Sequence, residues 1–333
     1  MKEHTLYSRG ATADISSSTR YVLFTHTDLD GAGCAVVYAH YHDIAEIHYC
    51  NNGDDINNAV REFIAKAIID KDTKYSVVIA DQSVNEEVAC MIDECVNNND
   101  NIGLLLVDHH ESALWLNKYE WARVDTTMCG TTLLLKHYSN IASYKYENKV
   151  LNRYAIDVED RDLWRWESKK NMNSLFHHKL LCKYGIINYV IRISRRIDTG
   201  VNIITDKECS DIQIDIDSMN AYVNSNINNY IKDKITVGDN TYYVAFTFAS
   251  AHVSELGNAI CTEHNDIDIC CIICVNRGEH GSVELRSVKD DVDLSVIAKA
   301  LGGGGHIHAA GFPLTEDFMK GIIGSFSNMM SIK

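Results

Sequence analysis

The apolar run Ile102-Gly-Leu-Leu-Leu-Val107 stops abruptly on Asp108-His109-His110. A segment that is short, β-compatible and apolar on both faces suits a strand covered on both sides of a sheet. Two other runs end the same way. Tyr21-Val-Leu-Phe-Thr25 leads into His26-Thr-Asp28-Leu-Asp30-Gly-Ala-Gly33, and Tyr75-Ser-Val-Val-Ile-Ala80 ends at Asp81. Between them lie stretches of helical spacing: Cys34 to about His42, Ile56–Ile69 and Glu86–Val96. This alternation predicts an α/β fold, a doubly wound and mostly parallel sheet with right-handed connections. Polar groups at the carboxyl ends of such strands face the crevice where these sheets bind ligands.

The pattern continues with helices over Thr126–Tyr138 and Lys149–Asp157, then the acidic stretch Asp157-Val-Glu-Asp-Arg-Asp-Leu-Trp164. From about Glu167 to Lys232 the chain reads as mostly helical, with basic groups at Lys169-Lys170 and Arg192/Arg195/Arg196. These basic groups read more readily as a solvated face than as a phosphate-facing surface. Short strands follow over Lys234–Val237, Thr241–Phe248, Asp268–Asn276 and Gly281–Ser287, with turns at Gly238-Asp-Asn240 and Arg277-Gly278. A last helix, Val292–Leu301, runs into Gly302-Gly-Gly-Gly305-His306. The expected organisation is a catalytic domain over 1–165, a helical connector over 166–233 and a smaller α+β domain over 234–333.

The net charge of −15 argues against a long electrostatic track for nucleic acid, though not against small phosphate substrates. No run of about 18 apolar residues is present, so no membrane span is expected. The amino terminus lacks the apolar core of a secretory signal, which points to the cytoplasm. The eleven cysteines fall mostly inside apolar segments and read as reduced, buried small hydrophobes. Cys271 and Cys274 have the spacing of half a zinc site, but no second pair accompanies them.

Four places therefore carry metal-competent side chains: His26/Asp28/Asp30, Asp81, Asp108/His109/His110 and Asp157/Glu159/Asp160/Asp162. Each has a plainer explanation alone, since Asp28 or Asp30 could cap the following helix, as could Asp81. Together, at neighbouring strand ends, their charges would repel unless solvated or held by cations. Oxygen and imidazole donors without thiolate suit Mn²⁺ or a similar metal, and two such ions ~3.5–4 Å apart serve in-line attack on phosphorus.

These segments, with Gly302-Gly-Gly-Gly-His-Ile-His-Ala-Ala-Gly-Phe312 and Val283-Glu-Leu-Arg-Ser287, resemble the DHH phosphoesterase superfamily and its associated C-terminal domain. The likeness runs from about residue 20 to 313 and is greatest to the nanoRNase branch. It implies His26, Asp28, Asp30, Asp81, His109 and one fourth-motif acid as ligands of two divalent ions, Mn²⁺ first, with Mg²⁺ or Co²⁺ as alternatives. Asp81 would bridge the ions, His110 would contact substrate phosphate and Asp108 would orient the imidazoles. Asp160 is the favoured fourth acid, because Trp164 stands at the family's aromatic spacing; Asp162 is the runner-up and Asp157 a third choice. Arg286, Ser287, Gly303, Gly304, Gly305 and His306 are the implied substrate contacts. The glycines would let the backbone approach a phosphate, although a glycine after a helix also serves simply to end it.

The expected activity is hydrolysis of short oligonucleotides to nucleoside 5′-monophosphates, by a chain with no membrane partner and a possible homodimer. Alternatives are a cyclic-dinucleotide or phosphoadenosine-phosphate hydrolase, a RecJ-like exonuclease, a manganese pyrophosphatase, and a catalytically silent nucleotide-binding regulator.

Overall fold

The computed structural model describes residues 3–8, 19–42, 44–141, 148–274, 281–316 and 320. The chain forms two compact units, Met1–Gln213 and Ile214–Lys333. No helix among the described residues is long and apolar enough to cross a membrane.

The first unit is built on a sheet ordered β1-β3-β2-β4-β5-β6. Its strands are β1 (Glu3–Ser8), β2 (Arg20–Thr25), β3 (Ile44–Tyr49), β4 (Tyr75–Ala80), β5 (Ile102–Asp108) and β6 (Ala122–Val124). The last five run parallel, and β1 adds an antiparallel edge to β3. The doubly wound expectation holds. β3 was not read from the sequence, because Glu46 and His48 interrupt its apolar character.

Helices cover both faces of this sheet. On one, α2 (Asp54–Ile69) and α3 (Glu86–Asn98) bury Ile56, Val60, Ile64, Val88 and Ile92 against Val22, Phe24, Val77 and Ile79. Each such side chain contributes roughly 1.5–3 kcal/mol when taken out of water. On the other, α1 (Leu29–Tyr41) is buried from Leu29 to Ala39 among α4 (Gly130–Ser139), α5 (Lys149–Asp162) and α7 (Ile186–Thr199). A helix enclosed on all sides needs small residues where neighbours cross. A methyl group on Gly33 would lie 2.1 Å from the Thr131 hydroxyl oxygen of α4.

α6 (Met172–Tyr184) and α7 pack against α5 and α1, so they belong to the first unit's own packing. α8 (Asp206–Asn226) runs across the division between the units.

The second unit holds a mixed sheet ordered β11-β12-β10-β9-β8-β7. The strands are β7 (Ile231–Val237), β8 (Asn240–Phe248), β9 (Ile269–Cys274), β10 (Ser282–Arg286), β11 (Gly304–Gly305) and β12 (Ala309–Pro313). β8 and β9 are parallel and joined through α9 (Val253–Glu263); the other pairs are antiparallel. Alternate residues of β9 serve two cores. Cys270, Ile272 and Cys274 pack beneath α9, while Ile269 and Cys271 pack toward Val283, Leu285 and α10 (Leu294–Ala300). The uninterrupted apolar run of β9 follows from that double burial. Cys271 and Cys274 point to opposite faces, so these two thiols do not form the half zinc site their spacing suggests. All eleven cysteines are free thiols. The expected turn at Arg277-Gly278 lies outside the described residues.

Candidate metal centre

The ends of β2, β4 and β5 come together because the three strands are neighbours in register, Thr25 beside Ala80 and Ala80 beside Val107. His26, Asp81 and Asp108 therefore leave the sheet at one edge. Asp28 caps α1, its Oδ1 accepting from the Gly31 amide at 3.0 Å. Its other oxygen lies 2.8 Å from His26 Nδ1. So the capping explanation for Asp28 is realised with one oxygen, and the second still faces the strand ends.

Asp30 is buried in the first turn of α1 and aims at the amino terminus of α4. Its Oδ2 and Oδ1 accept from the Gly130 and Thr131 amides at 2.6 and 2.8 Å. A helix start is a natural seat for a carboxylate. These two residues were not singled out from sequence, although Cys129-Gly130 before a helix marks the position. A methyl on Gly130 would fall 2.8 Å from Asp81 Cβ, so only glycine lets α4 come this close.

Asp81 follows β4 with φ of 58°, in the left-handed region that a residue bearing Cβ enters at a cost of about 1–3 kcal/mol. Its amide is held by the Val107 carbonyl at 3.0 Å. Asp108 uses one oxygen to accept from the His109 amide at 2.8 Å and to meet His110 Nδ1 at 2.7 Å. His109 Nε2 lies 3.2 Å from Asp81 Oδ1, 3.6 Å from Asp30 Oδ2 and 3.7 Å from Asp162 Oδ2.

The fourth motif requires a correction. Asp160, favoured on sequence, is not brought to this cluster; Asp162 is. α5 continues to Asp162 and does not end near Asp157. Three residues apart on a helix, Asp157 and Asp160 share a face, while Asp162 lies on another. Asp160 meets Lys169 Nζ at 2.5 Å and Asn171 Nδ2 at 2.9 Å, and Asp157 meets the same Asn171 nitrogen at 2.8 Å. Glu159 pairs with Arg165 at 3.3 Å.

Ligand-type atoms within 4.8 Å of one another fall into overlapping groups: His26, Asp28 and Asp81; Asp30, His109 and Asp162; and Asp81 with Asp108, His109 and His110. The electrostatics are unfavourable for the protein alone. Burial pushes the Asp81 and Asp162 carboxyls well above the usual range, and the charge of Asp30 pushes them further. Burial opposes charge on His110 as well, but Asp108 outweighs it and lifts the imidazole to about 9. Burial similarly opposes the charge on Asp28, yet His26 holds that carboxyl below the usual range. The buried Asp81 Oδ2 and Asp162 Oδ2 accept no hydrogen bond. Orphaned carboxylate oxygens, in groups of ligand-type atoms made up of aspartates and histidines, fit hard or borderline divalent cations.

In the second unit, most implied substrate contacts are committed internally. Arg286 is buried, its guanidinium donating to the Leu285 carbonyl at 2.7 Å and the Ser254 hydroxyl at 2.8 Å. The Ser287 hydroxyl donates to the Asp268 carbonyl at 2.8 Å and accepts from the Lys289 amide at 3.2 Å. Gly302, at φ of 79°, closes α10: the Gly303 and Gly302 amides bond back to the Ala298 and Lys299 carbonyls, at 2.8 and 3.2 Å. A methyl on Gly303 would stand 2.0 Å from the Gly311 carbonyl oxygen, and one on Gly305 2.6 Å from that of Ala309. Gly302, Gly303 and Gly305 thus answer to helix ending or strand packing, whereas Gly304 has open space around it and no positive φ to satisfy. His306 is half-buried, its amide bonded to the Ala309 carbonyl at 2.7 Å.

Residues 239–330 match the DHHA1 domain. The chain is 27% identical over 305 residues to "Oligoribonuclease NrnB" of Bacillus subtilis, covering 89% of this chain and 73% of that protein. It is 21% identical over 331 residues to "3′,5′-cyclic-nucleotide phosphodiesterase" of Helicobacter pylori, covering 86% and 90%. Among solved structures, the pGpG-specific phosphodiesterase PggH of Vibrio cholerae aligns at a TM-score of 0.48 and 11% identity, over 93% of this chain and 98% of that one. An Asp-His-His strand end set in a parallel sheet, a DHHA1 segment and relatives named as an oligoribonuclease and a phosphodiesterase are together what the resemblance to the DHH phosphoesterases implies.

Proposed function

We propose that the chain hydrolyses short oligonucleotides to nucleoside 5′-monophosphates in the cytoplasm. One observation carries this reading: Asp30, Asp81, His109 and Asp162 converge with carboxylate oxygens that no protein donor satisfies. Divalent cations held there, Mn²⁺ first with Mg²⁺ or Co²⁺ as alternatives, would supply an acidified water and positive charge for the phosphoryl oxygens.

The protein's own groups divide the remaining work. Asp28, Asp30, His109 and Asp162 are the proposed ligands, with Asp81 shared between groups because it belongs to two of them. His26 is tied to Asp28 and is the least committed ligand. His110, held by Asp108 and charged near neutral pH, would place a proton donor on a phosphoryl oxygen. In the second unit, the Gly304 amide and His306 are the groups best suited to hold a nucleotide's phosphate, with Arg286 bracing the strand beside them. We propose the division into a catalytic part, helices and a substrate-binding part on the same footing. The charge of −15 and the similarity to an oligoribonuclease both favour a short substrate.

The H. pylori relative favours a second reading, hydrolysis of a cyclic nucleotide by the same centre. The test is one panel. Purified protein with Mn²⁺ is incubated with labelled RNA from dinucleotides to pentanucleotides, a long single strand, a cyclic mononucleotide and a cyclic dinucleotide. Mononucleotide release that is fastest on the shortest strands supports the proposal. Turnover confined to the cyclic substrates replaces it with the second reading. If every substrate survives, catalysis is not the function.

A further inference from the structure

α5 carries two kinds of buried acid. Asp162, its last residue, faces Asp30 and His109; Asp157 and Asp160 face α6 and the chain that returns to it. The return is tight. Trp164 adopts φ of 53°, and the Asp160 carbonyl accepts from the Arg165 and Trp166 amides at 2.7 and 2.9 Å. The Asn171 amide then bonds to the Trp166 carbonyl at 2.8 Å. The side chain of Asn171 closes the arrangement, its Nδ2 donating to Asp157 Oδ1 at 2.8 Å and to Asp160 Oδ2 at 2.9 Å. Lys169 and Arg153 approach the same two carboxylates from outside, at 2.5 and 3.2 Å.

Asn171 stands at the N-cap of α6, where asparagine is favoured because its side-chain oxygen can bond the first turn. Here it makes no such bond. Capping therefore does not explain this side chain. Its one NH₂ group instead bridges two like charges on α5, one turn before the cluster. Removing it would leave two buried carboxylates short of donors, and the last turn of a helix is the first to loosen.

We infer that Asn171 is a positioning residue for Asp162: by bridging Asp157 and Asp160 it fixes the rotation of the last turn of α5 that aims Asp162 at Asp30 and His109. The inference rests on the proposed reading of Asp162 as a metal ligand. Asn171 touches neither the metal nor the substrate; it acts through the helix, as supporting groups do around metal sites.

The experiment is a double-mutant cycle on the full chain, read by Mn²⁺ affinity in titration calorimetry, with turnover recorded beside it. Asn171→Ala should weaken Mn²⁺ binding about 10- to 100-fold and lower kcat with little change in KM, while circular dichroism stays that of the parent. Asp162→Ala should weaken binding at least as much. In the Asp162→Ala background, Asn171→Ala should cost no further affinity, because the group it positions is gone. Asn171→Ser retains a capping oxygen but lacks the bridging NH₂ group, so it should bind Mn²⁺ as weakly as Asn171→Ala. It also stands in for that variant should the alanine chain fold poorly. Unchanged Mn²⁺ affinity in Asn171→Ala, restoration by serine, or full additivity with Asp162→Ala would each overturn the inference while leaving the ligand reading standing. Parent-like Mn²⁺ binding by Asp162→Ala would instead sink the ligand reading, and the inference with it.

Discussion

The strand ends of the first unit and the glycine-rich segment of the second were equally suggestive as sequence, and they differ in what their polar groups do. At the strand ends and the end of α5 beside them, Asp81 and Asp162 keep buried oxygens that no donor reaches, and the neighbouring charges are mutually unfavourable. In the second unit, Arg286, Ser287, Gly302, Gly303 and Gly305 are already engaged by helix ending, strand packing or internal hydrogen bonds. A buried polar group that folding leaves unsatisfied needs something from outside the chain. One that folding satisfies has its explanation in the fold. The first unit therefore states a need for cations, whereas in the second Arg286, Ser287, Gly302, Gly303 and Gly305 have their explanation in the fold.

The largest expected effect tests the unsatisfied side. Asp81→Ala should lower kcat by about a thousandfold, the several kcal/mol that a Lewis acid contributes, and should abolish tight Mn²⁺ binding. The substitution also removes a buried carboxylate whose Oδ2 has no donor and which neighbouring acids repel, so thermal stability should not fall in parallel. A loss of melting temperature without a loss of Mn²⁺ affinity would move Asp81 to the satisfied, structural class.

The next effect separates two acids of one helix. Asp162→Ala should lose metal affinity, and Asp160→Asn should retain it, because an amide at 160 can still meet Asn171 and the half-exposed Lys169 can turn to solvent. The opposite outcome in calorimetry would restore the assignment that the sequence suggested.

That assignment illustrates where sequence reading stopped. Asp28, Asp30, Asp81 and the Asp108–His110 triplet were legible because each follows an apolar run, and parallel neighbours bring such ends together whatever the loops do. Asp162 was not, because the choice among Asp157, Asp160 and Asp162 turns on where α5 ends. A helix stopped near Asp157 leaves the later acids in a loop of no fixed direction; one that continues to Asp162 sorts them onto different faces. β3 was hidden by its polar residues, and β11 by being two glycines. The amides of Gly130 and Thr131 hold Asp30 through the backbone, and only the Cys129-Gly130 pair before a helix hints at them in the sequence.

Within the glycine segment the same comparison predicts opposite outcomes at adjacent positions. Gly303→Ala places a methyl 2.0 Å from a backbone oxygen and should destabilise the second unit by about 2 kcal/mol or more. Gly304→Ala meets nothing within 4 Å and should change stability by less than about 0.5 kcal/mol. If the Gly304 amide holds substrate, that variant should still raise KM several-fold. Equal stability losses in thermal unfolding would erase the distinction drawn between the two glycines.

The smallest effect concerns a satisfied buried group in the first unit. His177 is buried and pairs through Nδ1 with the Tyr189 hydroxyl at 3.0 Å; burial, assisted by the charge of Arg196, holds its pKa down to about 3. An unfolded histidine titrates near 6.5. Between these values the unfolded chain binds the extra proton, so stability rises with pH across that window. The contribution is complete above about pH 6.5 and is lost as pH falls toward 3. It amounts to about 2 kcal/mol by pH 5. His177→Gln, which keeps a hydrogen-bonding group but does not titrate, should flatten the pH dependence of unfolding by that amount over pH 5–8. An unchanged slope would mean that His177 accepts its proton without leaving the core. The buried network joining Tyr189, His177 and α5 would then be a titrating element, not the neutral scaffold on which Asp157 and Asp160 are held.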